Sequence, residues 1–207
     1  MKGMESTSLV VVAVVALLLG STAQVAGQQS FSDSFKKDGP LAGKWYCPVG
    51  VWTVEDGILV QTNGGDANMA YLPDFVLGSQ SVEVWLYTND PAGYGGFYLW
   101  RKDATNAVNV RIYPHGGGVW VHEVVDGVGT PVIYGGAFDD ATWYKLRVDA
   151  ESEAGILTIY INDVYFTTYT VTSPVVNRIG ISGLHSGNTA GGFDNFKLSR
   201  LGGGKKK

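Results

Sequence analysis

With a single cysteine, Cys47, among 207 residues, the chain cannot form an internal disulfide, and its fold must rest on a packed core. Cys47 sits between Tyr46 and Pro48 and reads as a small strand-end hydrophobe, not a reactive thiol. Only three histidines occur, and none falls in a His/Cys cluster of zinc spacing, which excludes a zinc centre of the usual kind. Charge is sparse too. Charged residues make up 16% of the chain and the formal net charge is −4, with three of the positive charges in the terminal Lys205-Lys206-Lys207. The body therefore lacks the basic surplus that binds phosphate backbones, and nucleic acid is not an expected partner. No segment after residue 27 sustains a 3.6-residue hydrophobic period, so helices and a βαβ architecture are excluded as well.

What is abundant points one way. Hydrophobic residues at 45% suffice for a full core, and 29 glycines fall between short apolar runs, where turns need positive φ. Period-2 alternation recurs between Gly, Asn, Asp and Pro clusters. Val51–Val54 and Ile58–Gln61 flank Glu55-Asp56-Gly57, a hairpin signal. Further strands are predicted at Val82–Thr88, Gly96–Arg101, Val108–Tyr113, Gly118–Val124, Trp143–Val148, Ile156–Ile161, Val164–Val171, Arg178–Gly183 and Gly192–Leu198. Asn162-Asp163 supplies another tight turn. The fold class is all-β, an antiparallel two-sheet jelly-roll sandwich over residues 28–200.

The two ends read differently. Leu9–Leu19 is an unbroken apolar run of eleven residues after Lys2, followed by small residues up to Gly27. That run is too short to span a bilayer, which takes ~20 residues, and has the length of a signal-peptide core. Residues 1–27 are thus expected to be a cleaved leader or an N-terminal anchor, and the protein to be secreted or held at the cell surface. Residues 201–207 read as a flexible Gly/Lys tail.

Two sets of residues resemble a known superfamily. Phe31-Ser32-Asp33-Ser34-Phe35, Trp45 and Gly50–Gly57 are similar to the start of concanavalin A-like lectin/glucanase domains. Trp143–Val148, Leu157–Asp163, Gly180–Leu184 and Phe193-Asp194-Asn195-Phe196 resemble its laminin G-like members. The resemblance implies a possible structural Ca²⁺ pinning the first strand to the last, with Asp194 and Asp33 as its carboxylate ligands.

Alternation along four successive strands selects a candidate site. With Val82, Val84, Leu86, Phe97, Leu99, Val108, Val110, Ile112, Val119 and Val121 inward, the outward set is Glu83, Trp85, Tyr87, Tyr98, Trp100, Asn109, Arg111, Tyr113, Trp120 and His122. Aromatic rings suit the apolar faces of sugars, and Arg, Asn, His and carboxylate groups suit hydroxyls, so the expected partner is a polysaccharide or glycan. Glu83 is the lone carboxylate of that set, and Glu123 has inward parity. Glycoside hydrolysis needs a carboxylate pair, so a non-catalytic binding role is favoured. Arg111, Tyr113 and His122 keep a polysaccharide lyase as an enzymatic alternative. The leader and cationic tail keep an adhesive or filament-forming subunit, with homo-oligomer or cell-surface contacts, as a structural one. His115 and His185 read as surface histidines in loops.

Overall fold

Asp56-Gly57 and Asn162-Asp163 each close a hairpin with both residues at positive φ (51° and 77°, 52° and 66°), as a type I′ turn requires. Asp126-Gly127 (50° and 82°) adds a third. These turns and the alternating runs between them build a sandwich with no helix among the described residues. The computed structural model describes residues 30–62, 65, 68–89, 92–173, 178–187 and 191–201; residues 1–27, expected to be a leader or anchor, and residues 202–207 lie outside the described residues.

The strands are β1 (Ser30–Asp33), β2 (Gly39–Pro40), β3 (Tyr46–Val49), β4 (Trp52–Glu55), β5 (Ile58–Gln61), β6 (Asn68–Leu77), β7 (Gln80–Thr88) and β8 (Tyr94–Arg101). They continue with β9 (Ala107–Tyr113), β10 (Gly118–Val125), β11 (Val128–Gly135), β12 (Tyr144–Glu151), β13 (Ile156–Ile161), β14 (Val164–Thr170), β15 (Gly180–Gly187) and β16 (Gly191–Arg200). One sheet has nine strands in the order β14-β13-β12-β7-β16-β5-β4-β2, with β1 also on β16; the other has seven, β11-β10-β9-β8-β15-β6-β3. All pairings are antiparallel, which gives the jelly-roll sandwich. β6 and β11 were not expected: Pro73-Asp74 interrupts the first, and Gly129 and Pro131 mask the second.

The inward residues predicted on β7 to β10 all lie in the core, each at 1% exposure or less. At one end Trp45 meets Phe31 and Phe196 edge-on, with ring centroids 5.6 and 5.1 Å apart. Ser182 of the seven-stranded sheet donates to Gln80 Oε1 of the other at 2.8 Å, a buried polar bond between layers.

Two corrections follow. β7 belongs to the nine-stranded sheet, while β8, β9 and β10 lie side by side in the other. Glu83, Trp85 and Tyr87 therefore point out on the far side of the sandwich from Arg111 and Trp120. Secondly, Trp100 is a core residue at 0% exposure. Tyr98 pairs with Gly183 and Arg101 with Ile181, so Leu99 and Trp100 together oppose Ser182, and Trp100 has φ 50°. This bulge turns two consecutive side chains inward and restores outward parity at Arg101, whose guanidinium lies 4.3 Å from the Tyr71 ring on the outer face.

Candidate functional site

The outer face of the seven-stranded sheet is ordered in rows by its register. One row runs Trp120, Arg111, Gly96, His185 across β10, β9, β8 and β15; the next runs His122, Asn109, Tyr98, Gly183. Gly96 has no side chain to fill the row, and an added Cβ would stand 2.6 Å from the Arg111 Cα. The gap lets Arg111 and His185 face each other between Tyr94 and Tyr98. Both tyrosine hydroxyls lie 3.4 Å from His185 Nε2, and their ring centroids lie 5.1 and 4.5 Å from the imidazole.

Arg111 is held flat by aromatic faces, 4.1 Å from the Tyr94 ring and 5.1 Å from Trp120, with Nη2 3.5 Å from His122 Nε2. Trp120 is half-buried. Its indole N–H donates to the Gly116 carbonyl at 2.9 Å, and its ring stands 5.3 Å from Tyr113 and 5.8 Å from His122. Tyr113, Trp120 and His122 thus form a partly exposed aromatic ladder over a buried polar floor of Asn109, Arg111 and His185. Asn109 Oδ1 and His185 Nδ1 have no hydrogen-bond partner among the described residues.

Of the predicted outward set, Tyr98, Asn109, Arg111, Tyr113, Trp120 and His122 come together here. Trp100 does not, and Glu83, Trp85 and Tyr87 form a separate group on the other sheet. Tyr94 and His185 were missed as site residues. His185 sits in the middle of β15, 2% exposed, and not in a surface loop. The Tyr-Gly-Gly-Phe-Tyr pattern at 94–98, with glycine at an outward position between tyrosines, was the signal that could have found it.

Burial lowers the affinity of both histidines for a proton, and the Arg111 charge adds to this. His122 is pushed down to about 4 and His185 well below its ordinary value. Both are neutral at pH 7. An unfolded histidine titrates near 6.5, so between that value and about 4 the unfolded chain binds protons that folded His122 does not. The stability contributed is complete above pH 6.5 and is lost as pH falls through that window, with His185 extending the loss lower. The melting temperature should therefore fall between pH 7 and pH 4.5, and His122→Gln should make that fall smaller. An identical pH slope in the variant would contradict the assignment.

Each of the two carboxylates expected to hold calcium accepts hydrogen bonds of its own. Asp33 accepts from the Phe35 N–H at 2.8 Å and the Trp45 indole N–H at 2.9 Å, turned towards the core end. Asp194 pairs with Trp85 and faces outward, gripped by its neighbour Asn195. A Ca²⁺ site takes six to eight oxygens, so these two carboxylates would be a minimum. Among the described residues no group of three or more His, Cys, Asp or Glu is placed to hold a metal. Burial pushes the Cys47 thiol up to about 11, in keeping with an inert role.

The class the fold defines is an all-β, antiparallel two-sheet jelly-roll sandwich, here with an aromatic and polar outer sheet face. No protein-family model and no curated protein matches the sequence. Solved structures do share the fold. The chain is similar to the carbohydrate binding module CBM66 from Bacillus subtilis, at 20% identity and TM-score 0.63, over 75% of this chain and 95% of that one. It is similar to a xylan beta-1,4-xylosidase from Bacillus halodurans, at 12% identity and TM-score 0.61, over 82% of this chain and 39% of that one. The carbohydrate recognition domain of Emp46p in its potassium-bound form matches at 12% identity and TM-score 0.55, over 75% of this chain and 88% of that one.

Proposed function

We propose that this is an extracellular, non-catalytic carbohydrate-binding protein that holds a glycan on the outer face of its seven-stranded sheet. The observation that carries the reading is the ladder of Tyr113, Trp120 and His122 beside Arg111, fixed in place over buried polar groups. Rings so held offer a sugar an apolar surface at little ordering cost, and the polar floor matches hydroxyls. A carbohydrate binding module and a carbohydrate recognition domain among proteins of this fold are in keeping with it. β8, β9 and β10 direct no Asp or Glu to this face, so they supply neither member of a glycosidase pair. The neutral His122 beside Arg111 favours one second reading, a polyuronate lyase. Release of unsaturated uronate from alginate or glucuronan would establish that reading.

A glycan array followed by titration of intrinsic fluorescence tests the proposal. Stacking on Trp120 is worth ~1–2 kcal/mol, so Trp120→Ala should weaken binding about tenfold. The melting temperature should barely change, because Trp120 is half-buried and makes one hydrogen bond to a turn. Undiminished affinity in this variant would remove the ladder as the site.

A further inference from the structure

The outer face of the nine-stranded sheet carries a second aromatic site. Register sets Trp85 of β7 between Lys145 of β12 and Asp194 of β16. Trp85 is 36% exposed. Beside it the Tyr87 ring lies across Gly192, where any Cβ would stand 2.1 Å from the ring, and packs 4.5 Å from Trp143. Tyr87 thereby props the second indole. Trp85, Trp143, Asp194 and Asn195 line an open pocket of about 400 Å³, within the size range of small-ligand sites.

The polar side of this pocket is fixed. Asn195, at φ 50°, turns back on Asp194 so that its backbone N–H and Nδ2 donate to the two carboxylate oxygens at 2.6 and 2.7 Å. Each oxygen keeps a second lone pair for a hydroxyl donor. The neighbouring charges are already matched. Lys145 lies 3.0 Å from Asp163 and 3.1 Å from Glu83, and Lys197 lies 3.0 Å from Glu83.

We propose that this pocket is a second saccharide site, selective for neutral glycans, in which Trp85 and Trp143 stack on the sugar and Asp194 accepts its hydroxyls. Paired charges around a preset acceptor leave no surplus cation for an acidic sugar. Two sheets stand ~10 Å apart and each site lies outside its own sheet, so a straight glycan chain cannot meet both. One molecule therefore holds two chains. This bivalency rests on the glycan reading of the seven-stranded face; the second site does not.

Calorimetric titration and turbidity of the full chain with xyloglucan, laminarin, galactomannan and levan test it. The native chain should bind at two classes of site and give turbidity at intermediate mixing ratios. Trp85→Ala and Trp143→Ala should each weaken one class at least tenfold and abolish turbidity while leaving the other class intact. Two variants guard against one failing to fold. Native binding and turbidity in both would overturn the second site, and so would conversion of a native dimer to a monomer by Trp85→Ala in sedimentation. Loss of all binding in Trp120→Ala, with Trp85→Ala unchanged, sinks only this inference. The reverse pattern sinks only the proposed role of the seven-stranded face. No binding of any of the four neutral polymers by the native chain overturns the second site, and the seven-stranded face is then judged by its own glycan array.

Discussion

Trp100→Ala should lower the stability of the protein by about 3–5 kcal/mol, the range for truncating a buried aromatic. Folding free energies of domains are ~5–15 kcal/mol, so this is a large share of the whole. The side chain is 0% exposed within the core, and its indole N–H donates to the Gly78 carbonyl at 2.7 Å. Alanine leaves a cavity and strips that part-buried carbonyl of its donor. Trp100→Phe keeps most of the packing and loses the hydrogen bond, so its cost should fall between native and alanine. Equilibrium urea unfolding followed by circular dichroism measures both. The control is Trp85→Ala, where a partly exposed ring is removed and the cost should be below about 1 kcal/mol. Equal costs for Trp100→Ala and Trp85→Ala would mean that the bulge at Leu99–Trp100 does not turn Trp100 inward.

That bulge shows where reading by alternation stops working. Counting every second residue places Phe97 and Leu99 in the core correctly, and on β9 and β10 it places Asn109, Arg111, Trp120 and His122 outward correctly. One extra residue on β8 shifts the parity of all that follow, and no local feature of Leu99-Trp100-Arg101 announces it. Sheet membership is equally hidden. β7 and β8 are consecutive, yet they lie in opposite layers, because the chain crosses the sandwich between Thr88 and Tyr94. Hairpins were legible since their turn chemistry is local: Asp56-Gly57 and Asn162-Asp163 tolerate positive φ at both positions. Asn109, Arg111, Tyr113, Trp120 and His122 of the candidate site were readable for the same reason, since β9 and β10 form one hairpin. His185 was not, because its neighbours Tyr94 and Tyr98 are ~90 residues away along the chain and only pairing of β15 with β8 brings them together.

Glu123→Ala should cost about 3 kcal/mol and loosen one corner of the sandwich ahead of the rest. Inward parity puts this carboxylate, 5% exposed, between β10 and the end of β14. Its Oε1 accepts from the Tyr169 hydroxyl, the Thr172 N–H at 2.8 Å and the Thr172 hydroxyl at 3.2 Å; Oε2 accepts from the Ser173 N–H at 2.8 Å. Four donors from the nine-stranded sheet and its exit thus converge on one residue of the seven-stranded sheet. Their bonds to a charged acceptor are individually stronger than neutral ones. Removing the acceptor leaves two backbone N–H groups and two hydroxyls without it, each costly wherever water does not reach. β14 is the outermost strand of its sheet, held by β13 on one side only, so the loss is local. Hydrogen exchange should accelerate at the amides of Tyr169–Ser173 more than at those of β9 or β16, and urea unfolding should shift to lower concentration. Glu123→Gln retains an oxygen for Thr172 but turns an amide towards Ser173, and should lie between native and alanine. Uniform acceleration across the whole chain, or none near Thr172, would show that this carboxylate does not staple β14 to the opposite sheet.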